Sequence, residues 1–191
     1  METKVIEEDH IYFREVEETE ENEEQCRLAR KKEIENFERY NVFEEVMDEG
    51  QLVLGTQFVL TEKANGSLKA RFVIKGFQEE NHQLESQTTS RNTLKVFCSV
   101  TANEKGPVTG SDIQAAFLQS DSLDREVFVK HPPENKKEGY VWKLLKPAYG
   151  LRDASSKWFG SFIQTLKEFG MQQNKRDSSK KDSIFTGHHI Y

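Results

Sequence analysis

The chain has 191 residues, 35% of them hydrophobic and 31% charged, with a net charge of −6. That size allows one domain, or one domain with an appendage. No apolar run reaches the length of a membrane span or a secretory leader, so a membrane-embedded or secreted class is set aside and an intracellular protein, cytoplasmic or nuclear, is expected. Two cysteines, Cys26 and Cys98, have no CxxC spacing, which argues against a zinc pattern and a disulfide framework.

The charge is unevenly spread. Residues 1–50 carry 18 acidic and 7 basic side chains, and residues 51–191 carry 15 and 20. A mildly basic body therefore follows an acidic N-terminal segment. Such a body suits a phosphate backbone, although a solvated, lysine-rich surface accounts for the charge equally well.

Residues 7–24 are dense in Glu and poor in large apolar side chains, as in a solvated helix or a disordered lead-in. From 25 to 39 the pattern turns helical, with Leu28, Ile34 and Phe37 on one face and Arg30, Lys31 and Lys32 outside. Residues 52–75 predict a β-hairpin. Phe58-Val59-Leu60 is strand-like, and Asn65-Gly66-Ser67 supplies a turn that tolerates positive φ. On the return strand Leu68, Ala70, Phe72 and Ile74 share one face, and Lys69, Arg71 and Lys75 share the other. A cationic row of this kind can grip a triphosphate, although an ordinary solvent-facing strand has the same pattern.

Residues 93–102 predict a buried helix with Leu94, Phe97, Cys98 and Val100 as its apolar positions, which makes Cys98 a core residue. Gly106-Pro107 breaks the chain. A strand over 108–113 and a short helical stretch over 114–119 follow. Asp112 thus ends an apolar approach and Phe117 stands five residues beyond it. A carboxylate there can hold a divalent metal, and the aromatic can floor a nucleotide pocket. Metal-assisted phosphoryl transfer usually needs at least two such carboxylates, yet no two adjacent Asp occur in the chain. Residues 126–130 predict a strand ended by Pro132-Pro133, and 140–144 its partner. Residues 153–169 are the clearest helix. Asp153 can cap it, the stripe Ala154, Trp158, Phe162, Leu166 and Phe169 faces the core, and Gly170 stops it in a left-handed conformation. A polar, basic loop over 175–182 precedes a strand starting at Ser183-Ile184-Phe185.

Four blocks in this order resemble the reverse transcriptase of Ty1/copia-type retrotransposons, a domain of their Pol polyprotein. They are Phe58 to Lys63 with Lys69 to Phe77, Asp112 to Gln119, Arg125 to Val129 with Pro132-Pro133, and Val141 to Leu144 running on to Tyr149-Gly150-Leu151-Arg152-Asp153-Ala154-Ser155 and Trp158-Phe159. The resemblance runs from about residue 33 to the C-terminus. It divides the chain into an acidic lead-in, 1–32, and a partial reverse transcriptase domain, 33–191. It implies an α+β fold with the fingers and an incomplete palm of a right-hand polymerase. It implies further that Lys69 and Arg71 bind the triphosphate of a dNTP, that Asp112 is the first palm carboxylate and a ligand of catalytic Mg2+, that Phe117 blocks a ribose 2′-hydroxyl, and that Tyr149 and Gly150 line the nucleotide pocket. The implied partners are an RNA template and a DNA primer.

Several positions depart from the family pattern. Ser120 replaces a Gly, Phe58 a Trp, and Ser155-Ser156-Lys157 the usual Arg or Pro-Arg before the helix Trp. The usual Pro is missing from the segment Gln87-Thr88-Thr89-Ser90-Arg91. The second palm motif, with its paired Asp, would follow Gly187, where the chain reads His188-His189-Ile190-Tyr191. Asp121, Asp124, Asp177 and Asp182 do not match it. The expectation is a fingers and partial-palm fragment, inactive alone and marginally stable because a cut sheet exposes a strand edge. The alternatives are a co-opted module that binds nucleic acid or protein without chemistry, and a decayed reading frame.

Overall fold

The computed structural model describes residues 14–79, 91–104, 112–173 and 185–186. Its centre is the expected hairpin. β4 (Thr56–Glu62) and β5 (Leu68–Ile74) pair antiparallel from Thr56↔Ile74 to Glu62↔Leu68. Gly66 closes the turn at φ 75, the Lys63 N–H donates to the Ser67 carbonyl, and Asn65 Oδ1 accepts from the Ser67 backbone. Ala70, Phe72 and Ile74 are buried while Lys69 and Arg71 are half-buried on the other face, as the alternation requires. β1 (Arg14–Glu15) adds to the outer edge of β4 through Arg14↔Glu62. The described end of the acidic lead-in therefore includes a strand, which corrects the helical or disordered reading of 7–24. Residues 1–13 lie outside the described residues.

α1 (Glu23–Arg39) opens with Glu23 and Glu24, charges that favour a helix N-terminus. It is unbroken through residues 32 and 33. Cys26, Glu33, Ile34 and Phe37 are its buried residues, and they pack toward β5. The expected face was partly wrong. Leu28 is 53% exposed, because at about 100° per residue it lies nearly opposite Cys26. Arg30 falls on the inner side instead, where it pairs with Glu18 at 2.8 Å and with Glu134.

A second sheet has the order β2-β7-β6-β3. β2 is Phe43–Met47, β3 Val53–Leu54, β6 Phe128–Val129 and β7 Tyr140–Leu144. The β6–β7 pairing matches expectation, with Phe128↔Lys143 and Val129↔Trp142. β2 and β3 do not emerge from the sequence, because Phe43-Glu44-Glu45-Val46-Met47 reads as charged and β3 is two residues long. Phe43 stacks on Trp142 across the sheet, with ring centroids 3.6 Å apart. Phe72, fully buried, joins the layers. Its ring meets Phe37 of α1 at 5.5 Å, Phe58 of β4 at 5.1 Å and Trp142 of β7 at 5.8 Å.

α2 (Arg91–Glu104) is helical where expected but it is not buried. Leu94, Val96, Phe97 and Val100 are all exposed, and so is Cys98. The apolar spacing predicted the helix, whereas burial requires a neighbour that spacing cannot supply. Asp112 and Ile113 are not in a strand, and 108–111 lie outside the described residues. A 3-10 turn over Ala116–Gln119 provides the expected short helical stretch.

α3 (Ala154–Glu168) ends as expected. Gly170 at φ 76 donates to the Lys167 carbonyl and Met171 to the Leu166 carbonyl, a Schellman closure. Asp153 does not cap it. Its carboxylate is held by Arg125, with Nε–Oδ2 3.1 Å and Nη2–Oδ1 3.0 Å. Of the expected core stripe, Ala154 is buried, Trp158, Phe162 and Leu166 are half-buried, and Phe169 is exposed; Ile163 is the other buried residue. β8 (Gln172–Gln173) and β9 (Phe185–Thr186) pair antiparallel, so a strand does begin near Phe185. The loop 175–182 and residues 187–191 lie outside the described residues. No helix among the described residues is long and apolar enough to cross a membrane.

His131 generates a pH prediction. Its side chain is 5% exposed and its ring lies 5.7 Å from that of Trp142. Burial holds its imidazole below the ordinary value, with Glu45 pulling up and Lys137 pushing down. The unfolded chain takes a proton at about 6.5 while the folded chain resists it, so His131 costs stability as pH falls through and below that value. Unfolding midpoints measured between pH 7.5 and 5.5 should fall more steeply for the parent chain than for His131→Gln; parallel curves contradict this assignment.

Candidate functional site

The site is organised by the free edge of β5, the strand at the end of the order β1-β4-β5. Alternate backbone N–H groups of a strand point to the same edge, and buried ones need acceptors. The Ile74 N–H donates to the Tyr149 carbonyl at 2.8 Å. The Phe72 N–H, two residues earlier on the same edge, lies near enough to the Glu33 carboxylate of α1 to help hold its charge. Residues 149–151 therefore lie against β5 nearly as a further strand would. Two glycines permit the approach. Gly150 has φ +91, and a Cβ there would sit 2.1 Å from the Ile74 carbonyl oxygen; one on Gly76 would sit 2.2 Å from the Gly150 oxygen. Arg152 secures the crossing by donating from Nε to the Gly76 carbonyl (3.1 Å) and from Nη2 to the Phe77 carbonyl (3.4 Å).

The crossing places the half-buried Tyr149 against Phe117, edge to face, with ring centroids 5.5 Å apart. Phe117 arrives from the 3-10 turn over Ala116–Gln119. Ala115 starts that turn in the left-handed region at φ 51, and the fully buried Leu118 anchors it. Burial pushes the Tyr149 phenol up to about 12, with the charges of Glu33 and Asp112 adding to the rise and Arg71 opposing it. Burial likewise raises the Glu33 carboxyl, while Asn36 (Nδ2–Oε2 3.3 Å), the Phe72 N–H, Lys69 and Arg71 pull it down. Three chain segments thus meet: Phe117 packs on Tyr149, and the charges of Arg71 and Asp112 reach its phenol. A cation beside a pair of rings can meet an anionic group while the rings pack on a planar or sugar moiety.

The other two candidates stand to either side. Lys69 lies near enough to Glu33 to act on it. Gly150 lines an open groove of about 440 Å³ with Gln57, Val73, Lys75, Phe77 and Arg152, a lining that does not include Tyr149 or Phe117. Asp112 is exposed, and among the described residues no three of His, Cys, Asp and Glu gather as a metal site. The described residues therefore offer one candidate ligand and do not fit a catalytic metal pair.

Sequence reasoning missed Glu33 and Arg152. Glu33 reads as one charge in the run Arg30-Lys31-Lys32-Glu33, but it falls four residues before Phe37 and seven after Cys26, on the apolar stripe, and that spacing is the available signal. Arg152 gives no comparable signal, since its partners are backbone carbonyls.

The family described as reverse transcriptase (RNA-dependent DNA polymerase) matches residues 38–183. The retrovirus-related Pol polyprotein from transposon RE1 of Arabidopsis thaliana is 29% identical over 139 residues, 66% of this chain and 9% of that protein. The corresponding RE2 polyprotein is 29% identical over 139 residues, 66% of this chain and 10% of its own length. The transposon Ty1-DR4 Gag-Pol polyprotein of Saccharomyces cerevisiae is 26% identical over 125 residues, 63% of this chain and 8% of its own length. The chain thus spans a tenth or less of these relatives. No solved structure matches it.

The glycine crossing makes a steric prediction. Gly150→Ala should destabilise the chain by about 3 kcal/mol or more, because the new methyl meets backbone and φ is positive. Gly139→Ala, also at positive φ but with nothing within 4 Å, should lose only about 1–2 kcal/mol. Urea unfolding of the two variants checks the difference; equal losses contradict the close approach.

Proposed function

Since the chain belongs to the reverse transcriptase family, with Ty1- and copia-type Pol polyproteins as relatives, we propose that residues 33–191 are the fingers and part of the palm of a copia-type reverse transcriptase, with residues 1–32 as an acidic lead-in. The β4–β5 hairpin is the fingers hairpin. Lys69 and Arg71 meet the triphosphate of an incoming dNTP, where guanidinium and ammonium groups offset phosphate charge. Phe117 packs against the sugar and leaves no room for a 2′-hydroxyl, so deoxynucleotides are favoured. Tyr149 and Gly150 flank the nucleotide. Asp112 is the first palm carboxylate and the one residue here that would hold Mg2+. The larger partners are an RNA template and a DNA primer inside the cell.

The observation that carries this reading is the meeting of Phe117 with Tyr149 at 5.5 Å beside the charges of Arg71 and Asp112. Composition does not require residues 71, 112, 117 and 149 to converge, and a nucleotide pocket does. With Asp112 as the one metal ligand this reading assigns among the described residues, and no adjacent Asp pair in the 191 residues, the polypeptide on its own binds nucleotide without incorporating it. The same observation favours a second reading, a non-catalytic module that holds nucleic acid.

Calorimetric titration of the purified chain with dTTP tests the pocket. Arg71→Ala should weaken binding about tenfold, the loss of one or two charge-assisted hydrogen bonds. Phe117→Ala should narrow the preference for dTTP over its ribonucleotide. Primer extension on an RNA template with Mg2+ should give no product. Sustained incorporation would overturn the inactive reading. Absence of dTTP binding, alongside salt-dependent binding of template–primer, would favour the non-catalytic module.

A further inference from the structure

Arg125 reaches the region of the crossing from a third segment, the approach to β6. Its Nη2 lies 2.7 Å from Glu79 Oε2 and 3.0 Å from Asp153 Oδ1, and its Nε donates to Asp153 Oδ2 at 3.1 Å. The two carboxylates belong to the two backbones that cross. Glu79 ends the turn that begins at Gly76, where its own N–H donates to the Gly76 carbonyl. Asp153 follows Tyr149, Gly150 and Arg152 on the way into α3. The Glu79 side chain is 5% exposed and that of Arg125 21%, so the cluster is largely withdrawn from water and its charges are weakly screened. Asp153 moreover forgoes the helix-capping bond open to it to lie in the Arg125 fork.

We propose that Arg125 is a positioning residue for the nucleotide pocket: by holding Glu79 and Asp153 together it sets how closely the Tyr149–Gly150 turn lies on β5, and so fixes the Tyr149 ring relative to Phe117 and Arg71. This rests on the dNTP reading above for its functional half. Among the described residues, the ion-pair partners of Arg125 are Glu79 and Asp153, neither of them assigned to the nucleotide. Its planar fork grips Asp153 through two hydrogen bonds while the same Nη2 forms the ion pair with Glu79, whereas a lysine at 125 keeps the charge and loses the geometry. The bonds from Arg152 to the Gly76 and Phe77 carbonyls lie along the same crossing, so the two arginines act together on one joint.

The test uses the full chain labelled with 3-fluorotyrosine, the Tyr149 resonance being assigned by its loss in Tyr149→Phe. Arg125→Lys and Asp153→Asn are each compared with the parent by 19F NMR, by dTTP titration and by thermal melting. The expected result is a retained cooperative melt with a displaced Tyr149 resonance and dTTP affinity lowered about tenfold. Variants that melt cooperatively and keep the parent resonance and affinity would overturn the proposal. Loss of a cooperative melt in both variants would also overturn it, since the cluster would then be a requirement of the whole fold. A parent chain that does not bind dTTP, with the resonance still displaced in the variants, would sink the nucleotide reading and leave the positioning of Tyr149 supported.

Discussion

The close passage of Gly150 over Ile74 and Gly76 is the constraint on which the site depends. A strand edge inside a protein must give its N–H groups to acceptors. Here the Tyr149 carbonyl before α3 accepts from Ile74, and the Glu33 carboxylate of α1 lies near the Phe72 N–H on the same edge. The Tyr149 carbonyl is reachable only if two backbones come closer than any side chain allows, and so both positions are glycine. Once that contact is made, the Tyr149 ring has a place to lie, and Phe117 closes on it from the turn anchored by Leu118.

Beneath the crossing, Phe72 ties the layers together. One buried ring touches the helix, its own hairpin and the second sheet through Phe37, Phe58 and Trp142. Burying one such ring is worth about 1.5–3 kcal/mol, with each favourable ring pair adding about 0.5–1.5 kcal/mol. Phe72 lies between Arg71 and Val73 on β5, so the core fixes the strand from one face while Arg71 and Lys69 extend from the other. Core packing and the placing of the cations are thus two faces of one seven-residue strand.

Charge is distributed on the same plan. Carboxylates near the site are neighbours of arginine or lysine: Glu33 with Lys69 and Arg71, and Glu79 and Asp153 with Arg125. Asp112, exposed and at the start of its described segment, forms no ion pair with another described residue. Its carboxylate remains accessible to an external cation or ligand, a situation different from that of the carboxylates enclosed in ion pairs.

Period-two and period-3.6 patterns made the hairpin, the 140–144 strand and the three α-helices among the described residues legible, because those signals arise within a few residues of backbone. The motif blocks around residues 69–71, 112–117 and 149–150 indicated the family for the same reason: the order of residue types along the chain is preserved whatever they touch. Burial was misread at Leu28, Arg30, Cys98 and Phe169, since an apolar or charged position acquires its environment from elements distant in sequence. Asp153 reads as a cap from its neighbours and is an ion-pair partner because Arg125, 28 residues away, arrives beside it. The pairing of Arg125 with Glu79 and Asp153 and the meeting of Gly76 with Gly150 belong wholly to the tertiary structure. The sequence by itself determined which elements form and what family of chemistry their side chains resemble; only the folded chain decided which of those side chains meet, because contacts between remote segments depend on packing and on closing strand edges, and neither is written in local order.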